Sequence, residues 1–331
     1  MASESSSEPP QTHTRGESDS LRPLITDLNG DTSWLISFPR PTAERIATGK
    51  TYYHVVLDPW LTERSAHIFS PWIGQYTRPE PAAFTDGAAV DGLVRQIEEA
   101  AGSTAHADAG VDALCVCSAA TDHMNRGTLT TFAPSIPVFT TPAPARMIPG
   151  WGHFERVIPM DKFQGPTWQS AHPGEPLPSW LSMLRVNTFI LCLGIGFVWS
   201  HDDVHEALLY FPHGCDVDND HALGQFLEAS PRPRPLAIIH PVKDALRHKS
   251  LVTPGVRPGI KLYRSVRPAY WIQSSSALLE YSGPFFWGFR DQRRTLDWGL
   301  EMEKQESKEE SITMDRPNLI EIGNGGQFVL K

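Results

Sequence analysis

Asp122 and His123 stand side by side just past the apolar run Val111–Cys117, separated from it by Ser118-Ala119-Ala120-Thr121. A carboxylate and an imidazole at the end of a buried strand can hold a divalent metal, or move protons as general acid and base. Ser118 adds a hydroxyl, so Ser118, His123 and Asp122 could be a nucleophile, a base and an orienting acid. One short loop rarely gives three such groups the geometry nucleophilic catalysis demands. His213, after a second apolar run, could work with His123 in acid–base chemistry. A structural alternative stands beside these: Asp122 caps the following helix and His123 packs beneath it.

Three other patterns lack the residues their chemistry requires. Gly49-Lys50-Thr51 has the tail of a phosphate-binding loop, but Glu44 sits where the first glycine belongs. Gly194-Ile195-Gly196 opens a dinucleotide fingerprint, and Trp199 holds its third glycine position. His201 and His205 have the spacing of a zinc-binding helix, but they fall in a polar turn, with Asp202 where that motif has glutamate. The four cysteines show no Cys-x-x-Cys pair and lie in or beside apolar runs. They read as buried free thiols of a reducing compartment, and the expected location is cytoplasmic.

The elements that must position these residues are mostly short strands. Ser33–Phe38 and Tyr52–Leu57 are two, the second closed by Asp58-Pro59, a turn signal. Val111–Cys117, Ile136–Phe139, Asn187–Trp199, Glu206–Phe211, Pro235–His240 and Arg267–Ile272 are further strands. Between Asp86 and Gly102, residues Val90, Leu93, Val94, Ile97 and Ala101 share one helical face, and Gly102 supplies a stop. Short strands, few helices and 29 prolines predict two packed sheets with helices outside. No internal repeat is present. Residues 1–22, rich in Ser, Glu, Pro and Thr, are expected to form a disordered tail, and 23–331 one domain.

Composition narrows the function. The net charge of −9 and the absence of a basic stripe longer than Arg293-Arg294 argue against a nucleic-acid partner. The most apolar stretch, Phe189–Trp199, is about half the length of a membrane span. The polar start of the chain has no secretory apolar region. A small organic molecule is the expected partner.

The order of several stretches carries a resemblance. Trp34–Phe38, Val56–Leu61, Asp112–Cys117 with Asp122-His123, Leu208–Gly214, Val252–Gly255 and Pro268–Ile272 together resemble the metallo-β-lactamase superfamily. Within it they resemble the branch similar to ascorbate-6-phosphate lactonase. The resemblance covers about residues 30 to 290 and implies an α/β four-layer αβ/βα sandwich, its active site at the edge between two mixed sheets. The superfamily's His-x-His-x-Asp-His motif falls on Ser118, Ala120, Asp122 and His123, so the donors for one metal are lost and those for the other remain. A late histidine expected within Gln273–Ser276 is missing. A bridging aspartate is expected near Pro212–Asp216, where His213 or Asp216 could serve, and His172 could stand for an intermediate histidine.

These observations lead to one expectation with one alternative. The chain is expected to be a metal-free or single-metal enzyme acting on a small organic substrate by lactone or ester hydrolysis or related acid–base chemistry. The expected catalytic residues are Asp122, His123, His213 and Ser118. The expected substrate-binding residues are Trp60, Tyr76, Trp151, His153, His172 and Trp287. Asp122, His123 and Asp216 would hold a single divalent metal, zinc being possible, and two zinc ions are not expected. The alternative is a non-catalytic protein that binds a ligand or a protein partner through the inherited cleft.

Overall fold

The computed structural model describes residues 21–186, 194–215, 217, 221–306 and 315–331. Nearly all of the expected tail, and residues 187–193 of one expected strand, lie outside them. Leu21 and Arg22 lie inside, with Arg22 bound to Glu206 at 2.7 Å and to the Leu330 carbonyl at 2.9 Å.

The first half of the chain begins with β1 (Leu24–Asp27), β2 (Trp34–Pro39), α1 (Thr42–Thr48) and β3 (Tyr52–Leu57). It continues through β4 (Ser65–His67), β5 (Gln75–Thr77), α2 (Gly87–Ala100) and β6 (Ala113–Val116). Then come α3 (Arg126–Leu129), β7 (Val138–Thr140), α4 (Pro142–Met147) and β8 (Val157–Pro159). The second half opens with β9 (Leu181–Arg185), β10 (Ile195–His201), β11 (Val204–Tyr210), α5 (His221–Leu227) and β12 (Arg234–Pro241). A hairpin of β13 (Asp244–Arg247) and β14 (Ser250–Thr253) precedes α6 (Val256–Val266) and β15 (Tyr270–Ser274). Last come β16 (Glu280–Ser282), β17 (Phe289–Gln292), α7 (Leu296–Glu306), β18 (Leu319–Ile320) and β19 (Gln327–Val329).

Two mixed sheets form the body. One has seven strands in the order β19-β1-β2-β3-β6-β7-β8, parallel from β3 onward. The other has six in the order β18-β15-β12-β11-β10-β9, parallel from β18 to β11. Strand periodicity explains how both faces of each sheet are covered. In β3, Tyr53, Val55 and Leu57 enter the core shared with the second sheet, and Tyr52 and Val56 face the helix layer. In β11, Leu208 and Tyr210 point inward, and Ala207 and Leu209 meet the apolar layer of α5 and α6.

Helix α2 lies on the outside of the first sheet, as its spacing predicts, burying Val90, Leu93, Val94 and Ile97. Asp86 caps it by accepting from the Ala89 amide at 2.9 Å, and Gly102 leaves it in the left-handed region. On the far side, α6 packs Val256, Ile260 and Val266 against the second sheet. The layers are therefore helix, sheet, sheet, helix.

The rejected motifs have structural explanations. Gly49 is the left-handed C-cap of α1. A Cβ on Gly194 would lie 2.5 Å from Phe211, and one on Gly196 2.7 Å from Val186, so close packing requires both glycines. His201 ends β10 and His205 lies in β11, on either side of a hairpin whose two turn residues, Asp202-Asp203, both take positive φ.

Candidate active site

Segments following the parallel strands of both sheets meet at one edge, the usual place for a site in such folds. After β3 comes Asp58, and after β6 the loop from Ser118 to His123. After β11 comes His213, after β12 Lys243, and after β15 Ser275. A cavity of about 360 Å³ opens between them. Two small sheets roof it, one of β14, β13 and β17 and one of β16, β5 and β4. They present Tyr76, Tyr281 and Phe289, joined by Phe285 and Phe286 from the intervening turn. These rings support one another, Tyr76 edge-on to Phe286 at 5.3 Å and Tyr281 tilted against Phe286 at 5.2 Å.

Asp58 anchors the floor. It is fully buried and sits at φ 47°, a left-handed conformation that aspartate tolerates better than most residues. One carboxylate oxygen accepts from the Cys117 amide at 2.7 Å. The other accepts from His123 Nδ1 at 2.7 Å, the Cys117 thiol at 2.7 Å and the Tyr210 hydroxyl at 2.8 Å. Burial, reinforced by Asp58, pushes the Cys117 thiol and the Tyr210 hydroxyl well up, so both stay protonated and donate.

With Nδ1 engaged, His123 turns Nε2 outward, 2.8 Å from His213 Nε2 and 3.3 Å from Asp122 Oδ2. Burial alone would depress the His123 pKa, but the Asp122 and Asp58 carboxylates outweigh it and raise it to about 9. Burial and the neighbouring His123 charge hold His213 down at about 4. Burial works to raise Asp122, yet His123, His213 and the Tyr76 hydroxyl bring it below the ordinary carboxylate value. Tyr76 donates to Asp122 Oδ1 at 2.7 Å, and the Thr32 hydroxyl holds the Asp122 carbonyl at 3.0 Å.

Three lone-pair donors thus converge where a cation, proton or metal, must relieve their repulsion. Asp122, His123 and His213 suit one metal ion, because their ligand atoms lie within 4.8 Å of one another and Asp58 holds the second nitrogen of His123. The fully buried group of Asp58, Cys117 and His123 is also close enough. Its atoms are already joined by hydrogen bonds, and it serves as support. Ser118 and Ala120 line the cavity but offer a second ion no histidine donors, and Ser275 lines it just after β15. Asp216 lies outside the described residues.

The cavity also brings together groups that motif reading did not single out. Asp31, only 2% exposed, lines it; burial raises the Asp31 carboxyl, opposed by the Lys243 charge. Lys243 donates to Asp291 at 2.6 Å and to the Ala277 carbonyl. Asp291 also accepts from the Tyr281 hydroxyl at 2.7 Å and the Leu279 amide at 2.8 Å. A larger depression, about 870 Å³, lies beyond Lys243, where Arg294 and Arg316 are bound to Asp244 and Asp297.

The expected site residues divide. Asp122, Ser118, His213 and Tyr76 line the cavity, with His123 beneath. Ser118 Oγ accepts from the Ala120 amide at 3.2 Å, while the two His123 nitrogens are taken up by Asp58 and His213. The one-loop triad is therefore not assembled. Trp60 is buried behind Tyr76 at 5.9 Å and does not line the cavity. Trp151 packs by the first sheet's outer layer near Arg126, His153 holds the Phe132 carbonyl, and His172 holds the Pro178 carbonyl. Trp287 is 73% exposed against His248. The helix-capping alternative for Asp122 is corrected: Asn125 caps α3, accepting from the Thr128 amide at 2.8 Å.

No family model matches the sequence, and no curated protein matches it. Solved structures do. One is a possible metal-dependent hydrolase from Veillonella parvula DSM 2008, at TM-score 0.56 and 11% identity, covering 93% of this chain and 100% of that one. Another is an isothiocyanate hydrolase from Delia radicum gut bacteria, at TM-score 0.52 and 12% identity, covering 93% and 99%. A third, at TM-score 0.46 and 11% identity over 93% and 99%, is the metallo-β-lactamase fold protein YhfI from Bacillus subtilis. None of the three is described as an ascorbate-6-phosphate lactonase. What this chain shares with the first two is the fold, and its own sheets and helices form the four-layer αβ/βα sandwich expected from the sequence.

Proposed function

We propose that this chain is a hydrolase of small organic molecules, a lactone or ester, working with one divalent metal ion, zinc foremost, at Asp122, His123 and His213. The observation that carries the reading is the convergence of His123 Nε2, His213 Nε2 and Asp122 Oδ2 on the cavity floor, braced by Asp58. An ion held there would supply Lewis-acid polarisation of an acyl carbonyl. The residues prepare the place. Asp58 keeps the Nδ1 proton of His123 and so aims Nε2 at the cavity. Tyr76 occupies one oxygen of Asp122 and leaves the other directed inward. The aromatic roof excludes water from the substrate's apolar part. Buried thiols at Cys115 and Cys117 accord with a reducing, cytoplasmic setting.

Zinc titration of chelator-treated protein, read by elemental analysis after desalting, tests the reading. One equivalent should be retained by wild type and none by His213→Ala, with ester or lactone turnover following the zinc. Retention of two equivalents, or of none, would defeat the single-ion assignment. The replacement of metal-ligand positions by Ser118 and Ala120 favours a second reading, a ligand-binding protein without turnover. Saturable ligand binding with no hydrolysis across ester and lactone panels would select it.

A further inference from the structure

The groups facing the cavity say what kind of molecule it admits, an argument that rests on the hydrolase reading for the reaction but not for binding. The roof is apolar and aromatic, with Tyr76, Tyr281, Phe285, Phe286 and Phe289 backed by Ile68 and Leu279. The polar part is dominated by three carboxylates, Asp31, Asp122 and Asp291. Lys243 is the one lysine or arginine among the described lining residues, and Asp291 and the Ala277 carbonyl already hold its ammonium group. It has little charge left to offer a ligand. Asp122 would be compensated by an ion or by His123, and Asp291 by Lys243. Asp31 remains, almost fully buried, with Ser275 beside it.

We infer that the site takes an uncharged molecule with an apolar, aromatic-sized part, and that Asp31 is the residue that excludes anions. A carboxylate or phosphate entering the cavity would lose its hydration among Asp31, Asp122 and Asp291, where burial already works against a charge on Asp31, and find no available cation of the protein to replace the water. A neutral ester, lactone or amide loses far less, and its apolar part gains the rings. This runs against an anionic substrate of the sugar-phosphate kind and toward neutral acyl compounds.

Phenylacetamide and phenylacetate, nearly identical in shape and different in charge, are suitable probes. Isothermal titration calorimetry in the presence of chelator removes any contribution from a bound metal. Wild type is expected to bind the amide at least about tenfold more tightly than the acid, the scale set by one buried like-charge encounter. Asp31→Asn, checked for folding by circular dichroism, should keep the amide affinity and narrow that gap, and Phe289→Ala should weaken the amide. Equal or tighter binding of phenylacetate, no saturable binding of the amide, or an unchanged gap in folded Asp31→Asn would each overturn the inference. The wild-type comparison decides alone if the variant does not fold. Amide preference without ester turnover would leave this inference standing and remove the hydrolase reading; turnover with anions preferred would do the reverse.

Discussion

At the residue scale, Asp58 shapes the floor more than any residue that faces the substrate. Four donors reach it in a region closed to water, and His123 depends on it for orientation. Removing one member of such a buried charged network costs about 3–5 kcal/mol. Asp58→Ala should therefore lower stability by that order in urea unfolding and abolish zinc retention. His213→Ala, whose side chain stands nearer the cavity mouth, should lose zinc with a much smaller stability change. Asp58 is hard to find from sequence because its partners, His123 and Tyr210, lie 65 and 152 positions away. Its adjacency to Pro59 marks only a turn. One signal was present: an acidic residue directly after an apolar strand. Asp31 and Lys243 sit in segments with no such mark, and only tertiary packing brings them to the cavity.

At the scale of elements, Glu98 ties α2 to the start of β3. It accepts from the Thr51 and Tyr52 amides, each at 2.7 Å, from His54 Nε2 at 2.9 Å, and from Ser103. Burial would raise its pKa, but hydrogen bonds from His54, Ser103 and the two amides outweigh that and lower it from 4.5 to about 2. A depressed carboxyl stabilises the fold fully above its unfolded pKa, and the contribution fades as pH falls toward 2. The melting temperature of wild type should drop across that window, and Glu98→Gln should start lower and fall less steeply. A second element-scale test concerns the loop after β11. Gly214 has φ 81°, and a Cβ there would meet the Pro254 carbonyl at 2.3 Å. Gly214→Ala should displace His213 and weaken zinc binding at least about tenfold, a factor worth about 1.4 kcal/mol, while α2 and the inter-sheet core keep their circular dichroism signature. The strands of the body and α2 were legible because their apolar periods are regular. The roof strands β4, β5 and β16 were not, being three residues each and too short for a period to show.

At the scale of the molecule, two packed sheets with helices outside followed from short strands, few helices and many prolines, and the four-layer αβ/βα order from the resemblance, but the joining of the two sheets could not be read that way. Residues 315–331 carry β18 and β19: the first pairs with β15 at the border of the six-stranded sheet, the second with β1 at the border of the seven-stranded one. One late segment thus covers an open border in each half. Ending the chain after residue 314 should leave two unpaired borders, and such strands recruit other chains. Light scattering should show the shortened protein associating at micromolar concentration while the longer one stays monodisperse or forms a defined oligomer. During synthesis the same arrangement has a temporal cost. Neither sheet can be completed until residues 315–331 leave the ribosome, so both halves wait, nearly built and adhesive, for one short stretch of chain.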